Sequence, residues 1–374
     1  MIPLFYPYTH AKRRILKEIK DTLHSRWWGQ GPKVDRFEKV FGKVFGYKYP
    51  LFVNSGTSAL ELAYHLIGLK NRDEVIVPIL NCTAGQMGLL RRRVKIVFAD
   101  IEIDSFNIDP GDVEQKITQK TKAIVAVHLG GIPVSEKIYQ LGKKYKIPVI
   151  TDAAQHHVAT RGNYICYSFQ AIKHITTCDG GMLILTNRKE YVRAKLLRWF
   201  GIDRELKARK NYQAWERRTM TLDVKEAGYK YQPTDIDACF GLAALPDLKK
   251  VIRHRQQLVR EYSKRLRVLP QVKSIAGGSA WLYGIMCENR DSLADYLKSN
   301  GVECNLIHLR NDIYTVFGGK RLNLPNMNFI EPRYLYLPLN NCITMKDVGT
   351  VCAKIAEFYR APPRTLTKTD SLKL

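Results

Sequence analysis

From residue 50 to 187 short apolar runs alternate with helical patterns, and this alternation leaves the chain few architectures. LFVN, EVIVP, VKIVFAD, KAIVAVHL, IPVITDAA, YICYSF and GMLILT have the length and content of strands; TSALELAYHLIGL and VSEKIYQLGKKY have helical spacing. Strands interleaved with helices predict an α/β fold, a mostly parallel seven-stranded sheet covered on both faces. Ligands of such sheets bind beyond the carboxyl ends of the strands, so candidate chemistry is sought there. At 374 residues the chain is long for one core. Leu245, Leu248, Ile252, Val259, Tyr262 and Leu266 predict a long helix. It leads into a smaller C-terminal α/β domain with WLYGIMCE, the helix DSLADYLKSNG, and YLYLPLN. The expected division is a large domain with an N-terminal arm over 1–244, a small domain over 245–360 and a polar tail over 361–374.

Composition narrows the partners. Eight cysteines are scattered with no Cys-x-x-Cys pair and no histidine cluster beside them. This argues against a disulfide framework or a zinc site, and for a reducing compartment. The start, MIPLFYPYTHAKRR, has no long apolar run after a basic segment, and no stretch reaches the length of a membrane span. The expected location is cytoplasmic. The net charge of +25 favours acidic partners: nucleic acid, an anionic membrane or phosphorylated small molecules. That charge is diffuse, and zinc-finger, basic-zipper and RNA-binding signatures are absent, which disfavours nucleic acid. The densest stretch, 187–210, reads as an amphipathic helix followed by a loop.

Three strand ends carry chemistry. After LFVN, Ser55-Gly56-Thr57-Ser58-Ala59 opens a helix, where free backbone N–H groups and the helix dipole suit a phosphate. After IPVIT comes Asp152, a carboxylate at a parallel strand's end. After YICYSF, in SFQAIKHITTCDGGM, Ser168 stands at the strand end and Lys173 in the loop beyond. A phosphate cradle, a carboxylate and a lysine meet the needs of pyridoxal phosphate. The lysine forms the imine, and the carboxylate keeps a proton on the pyridine nitrogen so that the ring accepts electrons.

The chain resembles the DegT/DnrJ/EryC1/StrS family of pyridoxal-phosphate-dependent sugar aminotransferases over nearly its whole length. SRWWGQGPKVDRFE, NSGTSALELA, DEVIVP, VHLGGIP, TDAAQHH, SFQAIKHITTCDGGM, GYKYQPTDIDACFGLAAL and YLYLPL carry the likeness, in order. It implies the fold type I aminotransferase architecture, with Lys173 as the Schiff-base lysine and Asp152 paired with the pyridinium nitrogen. Gln155 would lie near the cofactor's phenolic oxygen, and Gly56, Thr57 and Ser168 would hold the phosphate. Lys230, in GYKYQPTD, would reach that phosphate from the neighbouring subunit of a homodimer with shared sites. His128 lies on a family motif and reads equally as a packed, hydrogen-bonded histidine; His174 should point away from the lysine's task.

Three departures from the family pattern stand out. PILNCT puts Cys82 in or beside the place of an aromatic residue that usually stacks on the cofactor ring. Cys178-Asp179-Gly180-Gly181 replaces Gly-Glu-Gly-Gly, and Gln232 replaces a commonly polar or basic residue. Relatives with histidine at the lysine position work as sugar dehydratases; Lys173 favours transamination. The resemblance implies glutamate as donor and a nucleotide-linked keto sugar as acceptor, a 4-keto-6-deoxyhexose first and 3-keto sugars next. A cyclitol aminotransferase is the nearest alternative, and a nucleic-acid-binding or regulatory protein on the same fold is a third. Excess positive charge would help attract a pyrophosphate-bearing substrate. Arg198, Arg204, His308 and Arg310 are the candidate substrate contacts.

Overall fold

The computed structural model describes residues 1–203 and 223–360. All seven expected strands form one sheet: β1 (Tyr49–Val53), β2 (Glu74–Pro78), β3 (Lys95–Ala99), β4 (Thr121–Val127), β5 (Val149–Asp152), β6 (Tyr164–Ser168) and β7 (Gly181–Leu185). Their order is β1-β7-β6-β5-β4-β2-β3. Only β7 runs against its neighbours, β1 and β6; β2 pairs parallel with β3 and β4, β4 with β5, and β5 with β6. Every residue of β2, β5, β6 and β7 is buried. Continuous rather than alternating apolar runs are what a sheet covered on both faces requires. This is the fold type I aminotransferase architecture.

The covering helices begin and end where local chemistry dictates. Helix α1 (Lys12–Ser25) and α2 (Pro32–Phe45) precede β1; Pro32 starts the latter and Gly46, at φ 77°, closes it. Helix α3 (Gly56–Ile67) is capped by Ser55, whose side chain accepts the Ser58 N–H, and ends at Gly68 with φ 77°. Helices α4 (Ala84–Arg91) and α5 (Pro110–Lys116), neither foreseen, flank β3, and α6 (Glu136–Tyr145) follows β4. Helix α7 (Arg188–Leu197), capped by Asn187, forms the start of the basic stretch. Helix α8 (Asp235–Ala244) opens with a capping box between Thr234 and Asp237. Phe37, Phe41, Phe52, Tyr167 and Phe169 pack between α1, α2, α8 and one face of the sheet; Leu62, Tyr64 and Leu197 lie in the core on the other.

The long helix α9 spans Leu248–Leu266, preceded by a 3₁₀ turn over Leu245–Asp247. A second, antiparallel sheet holds β8 (Val272–Ile275), β9 (Tyr283–Cys287) and β10 (Tyr334–Leu337) in the order β10-β9-β8. Helices α10 (Arg290–Ser299), α11 (Pro325–Ile330) and α12 (Met345–Arg360) complete this part. Residues 2–4 join it: Ile2 bridges Val302, Leu4 N donates to Glu303 at 2.9 Å, and Asn340 Nδ2 donates to the Pro3 carbonyl at 2.9 Å.

Candidate active site

The sheet register gathers the candidate residues at one edge. Asp152, last of β5, pairs with Val127 and Cys166. Ser168, last of β6, faces Gly181 across the β6–β7 pair, and Gly181 faces Val53 on the other side. Because β7 runs backwards, the lysine loop leaves the sheet beside Asp152 and returns next to the α3 N-terminus. There the backbones crowd. A Cβ on Gly56 would lie 2.8 Å from that of Ser168, and one on Gly181 would lie 2.3 Å from the Ser55 carbonyl. Only glycine fits at either place. Ser55 satisfies the Ser58 N–H at 3.0 Å. Gly56 and Thr57, in the first turn, have no intrahelical acceptor for their N–H groups. Two amides with no acceptor among the described residues, a helix dipole and the Ser168 hydroxyl lie side by side here, the groups an anion cradle requires.

Asp152 is 6% exposed. Its Oδ1 accepts the Ala154 N–H at 3.0 Å, and among the described residues no basic side chain is ion-paired with it. Burial pushes its carboxyl above the ordinary range, against the Ala154 bond and the charge of Lys173. Lys173 is half-buried, and desolvation brings its amine down to about 8 although Asp152 pulls the other way. A sunken carboxylate without a bonded cation, an amine near neutrality and an anion cradle together fit pyridoxal phosphate. They match its protonated ring nitrogen, its aldehyde carbon and its phosphate.

Gln155 is fixed at both ends. Its Oε1 accepts the Gly130 N–H at 2.6 Å, and its Nε2 lies 2.9 Å from His308 Nε2. Burial, then the Lys173 charge, holds His308 down at about 4. The ring is therefore neutral, with Nε2 accepting from the amide. His308 is thus brought to the candidate residues through Gln155. Cys82 is exposed beyond β2, close enough that a thiolate there would favour the Lys173 ammonium. His128 is a packed histidine: Nδ1 accepts the Val134 N–H at 3.1 Å and Nε2 meets Thr160 Oγ1 at 2.8 Å. His174 turns away from Lys173, its Nε2 2.7 Å from the Ser279 carbonyl and its Nδ1 3.0 Å from His157 Nδ1.

Two expected substrate contacts are not at the site. Arg198, 1% exposed, donates to Glu38 at 2.7 Å and to the Phe52 carbonyl at 2.8 Å. Arg310, also 1% exposed, forks onto both oxygens of Asp312 at 2.7 Å and reaches Asn328, Glu331 and the Leu322 carbonyl. Among the described residues the Arg310 guanidinium is spent on fold contacts, and Arg198 Nη1 likewise, while Arg198 Nε is buried without a partner there. Arg204 lies outside the described residues. Lys230 is exposed beside the cradle. Asn54 N donates to the Tyr231 carbonyl at 2.9 Å and Asn54 Nδ2 to the Lys230 carbonyl at 3.2 Å. Its Nζ lies 5.5 Å from the Phe200 ring centre, and the Gln232 amide oxygen, turned toward its donors, accepts from it at 2.7 Å. The rings of Tyr229 and Tyr231 stack at 4.6 Å on either side of it in sequence.

The residue that sequence reasoning missed is Trp281, just before β9. It is 2% exposed, and its ring centre lies 4.0 Å from Lys173 Nζ. Within WLYGIMCE a tryptophan reads as core, and no local signal separates the two roles.

A model of the DegT/DnrJ/EryC1/StrS aminotransferase family matches residues 9–356. Uncharacterized protein MJ1066 of Methanocaldococcus jannaschii is 30% identical over 361 residues, covering 89% of this chain and 92% of its own. Among solved structures, sugar aminotransferase CalS13 from Micromonospora echinospora is 27% identical with a TM-score of 0.86, over 96% of this chain and 100% of that one. AtS13 from Actinomadura melliaura is 29% identical with a TM-score of 0.87, over 96% and 98%.

Proposed function

Because the chain belongs to the DegT/DnrJ/EryC1/StrS aminotransferase family, which depends on pyridoxal phosphate, we propose that it moves an amino group from glutamate to a nucleotide-linked keto sugar. A 4-keto-6-deoxyhexose is the first choice of acceptor. The observation that carries this reading is Asp152, a buried carboxylate with no ion-paired cation among the described residues, set within the electrostatic reach of Lys173.

When bound, pyridoxal phosphate supplies the electron sink for cleaving a carbon–hydrogen bond next to nitrogen. The protein's part is positional and protonic. The Gly56 and Thr57 amides and the Ser168 hydroxyl hold the phosphate. Asp152 would hold a proton on the ring nitrogen, its carboxylate kept charged in a dry setting by that pairing. Gln155, braced by Gly130 and His308, orients the group at the phenolic oxygen. Lys173 Nζ would hold the cofactor at rest and, as a free amine, would take up and return the proton at that nitrogen. An amine brought down to about 8 suits that shuttle near neutral pH.

The working unit is a homodimer in the cytoplasm, in which Lys230 of one protomer reaches the phosphate held by its partner. The net charge of +25 draws the substrate's pyrophosphate from solution. The test is to incubate the protein with glutamate and a panel of nucleotide-linked 4-keto and 3-keto sugars and cyclitol ketones, following products by mass. Amination of the 4-keto sugars above the rest is expected. Amination of cyclitols alone, or of nothing in the panel, would overturn the assignment.

A further inference from the structure

We infer that Trp281 is a positioning residue for the transamination, its ring face serving as the resting place of the Lys173 ammonium when that amine is not attached to the cofactor. The inference rests on Lys173 being the attachment lysine. It follows from a physical difficulty in the site: each half-reaction frees an amine into a pocket that penalises charge, yet the amine must repeatedly hold a proton without straying.

The geometry meets that need. Lys173 Nζ stands 4.0 Å from the centre of the Trp281 ring, and among the described residues this is the one ring it faces within cation–π range. The indole N–H donates to the Ile172 carbonyl at 3.4 Å, tying the ring to the residue just before the lysine. The Trp281 backbone is pinned too. Its N–H donates to Gly130 at 3.0 Å, and its carbonyl accepts Arg255 Nη1 at 3.1 Å. Phe5 packs against the ring with centroids 5.8 Å apart. Of these contacts the indole N–H bond is the one made to the lysine loop, and it sets the ring face against the amine.

The charged and titratable groups around the amine are Asp152 at the end of β5, Cys82 beyond β2, Arg255 on α9, and His157 and His308, both of which feel its charge. Asp152 and a Cys82 thiolate favour the ammonium; Arg255 and burial oppose it. Arg255 is itself buried, on the neutral acceptors Asn341 Oδ1 at 2.7 Å and the Leu339 carbonyl at 3.1 Å. The ring's negative face adds to the side of the ammonium. Its removal must therefore lower the proton affinity of Lys173.

The full chain, freed of cofactor, would be trace-labelled with acetic anhydride across pH, and acetylation of the Lys173 peptide followed by mass spectrometry. Three forms extend the parent: protein made with fluorotryptophans of increasing fluorine content, Trp281→Phe, and Trp281→Leu. Fluorine drains the ring face while keeping its shape, so this series stays folded even where Trp281→Leu does not. The expected result is a stepwise fall in the apparent Lys173 pKa along the series. The loss should total about one unit for Trp281→Leu, with Trp281→Phe retaining most of the parent's value. A flat value across the fluorinated series would overturn the inference and leave Trp281 as core. The outcome is separable from the proposed function: borohydride fixation of the cofactor elsewhere would remove Lys173 from its assigned role whatever the labelling shows.

Discussion

Arg198 and Glu38 lie 160 residues apart in sequence, yet their side chains meet at 2.7 Å inside the fold, 2% and 7% exposed. Burial holds the Glu38 carboxyl above its ordinary range despite the guanidinium beside it. Glu38 Oε1 also accepts the Phe52 N–H at 2.8 Å, so the pair joins α2, β1 and the end of α7. Truncating one member strands the other. Arg198→Ala is expected to lower unfolding stability by about 3–5 kcal/mol. KM for the sugar should stay within roughly twofold, because no substrate contact is lost. Denaturant titration beside steady-state kinetics checks both; a stable variant with a greatly raised KM would return Arg198 to the substrate.

Loading of pyridoxal phosphate onto cofactor-free protein should follow the neutral fraction of Lys173. The amine lies near 8, below its ordinary 10.5, so that fraction rises through pH 8. The loading rate, followed by absorbance, is expected to climb with a midpoint near there. Borohydride should then fix the cofactor to the Lys173 peptide. A midpoint near 10, or an adduct elsewhere, would contradict the assignment.

Asp152→Asn should keep the fold and some cofactor, yet reduce kcat by roughly a hundredfold or more, as removal of a charge stabiliser does elsewhere. An amide cannot hold the ring proton by charge. Activity within about threefold of the parent would mean another group does so.

The lysine loop carries its own record of substitution. Cys178 stands at φ 71°, in the left-handed region that side chains other than glycine's avoid. It occupies the place where the resembling family has glycine. Cys178→Gly should therefore be more stable than Cys178→Ala by about 0.5–1 kcal/mol, the strain relieved less the unfolded chain's added freedom. Equal midpoints in urea would show the turn to be indifferent to its residue.

If each site is built from two chains, Lys173→Ala and Lys230→Ala, both strongly impaired alone, should rescue each other when subunits exchange. One site in the mixed dimer then combines an intact Lys173 with the partner's intact Lys230. Absence of rescue, with exchange verified by mass, would assign Lys230 to the site of its own chain, whose cradle its backbone adjoins through Asn54.

The sheet was legible because its strands are buried on both faces and so appear as unbroken apolar runs. Helices α4 and α5 were not; eight and seven residues long, they show too few turns for a period to stand out. Strand ends announced Asp152 and Lys173 because a charge after an apolar run is conspicuous. Arginines do not announce burial. What settles the state of Arg198 is Glu38, and what settles that of Arg310 is a cluster drawn from residues 312–331. Neither closure can be seen along one dimension. Trp281 escaped for the opposite reason, since its apolar neighbours disguise a contact made across the fold.

Residues 2–4 dock onto residues 302, 303 and 340, Leu4 standing 299 positions before the Glu303 whose carboxylate holds it. A ribosome adding about 5–20 residues per second needs roughly 15–60 s to make that span. Through that interval residues 2–4 lack these partners, while the seven-stranded sheet can already close behind them. The first residues of this edge to be synthesised are thus among the last to settle, and their docking reports that the far part of the chain has arrived.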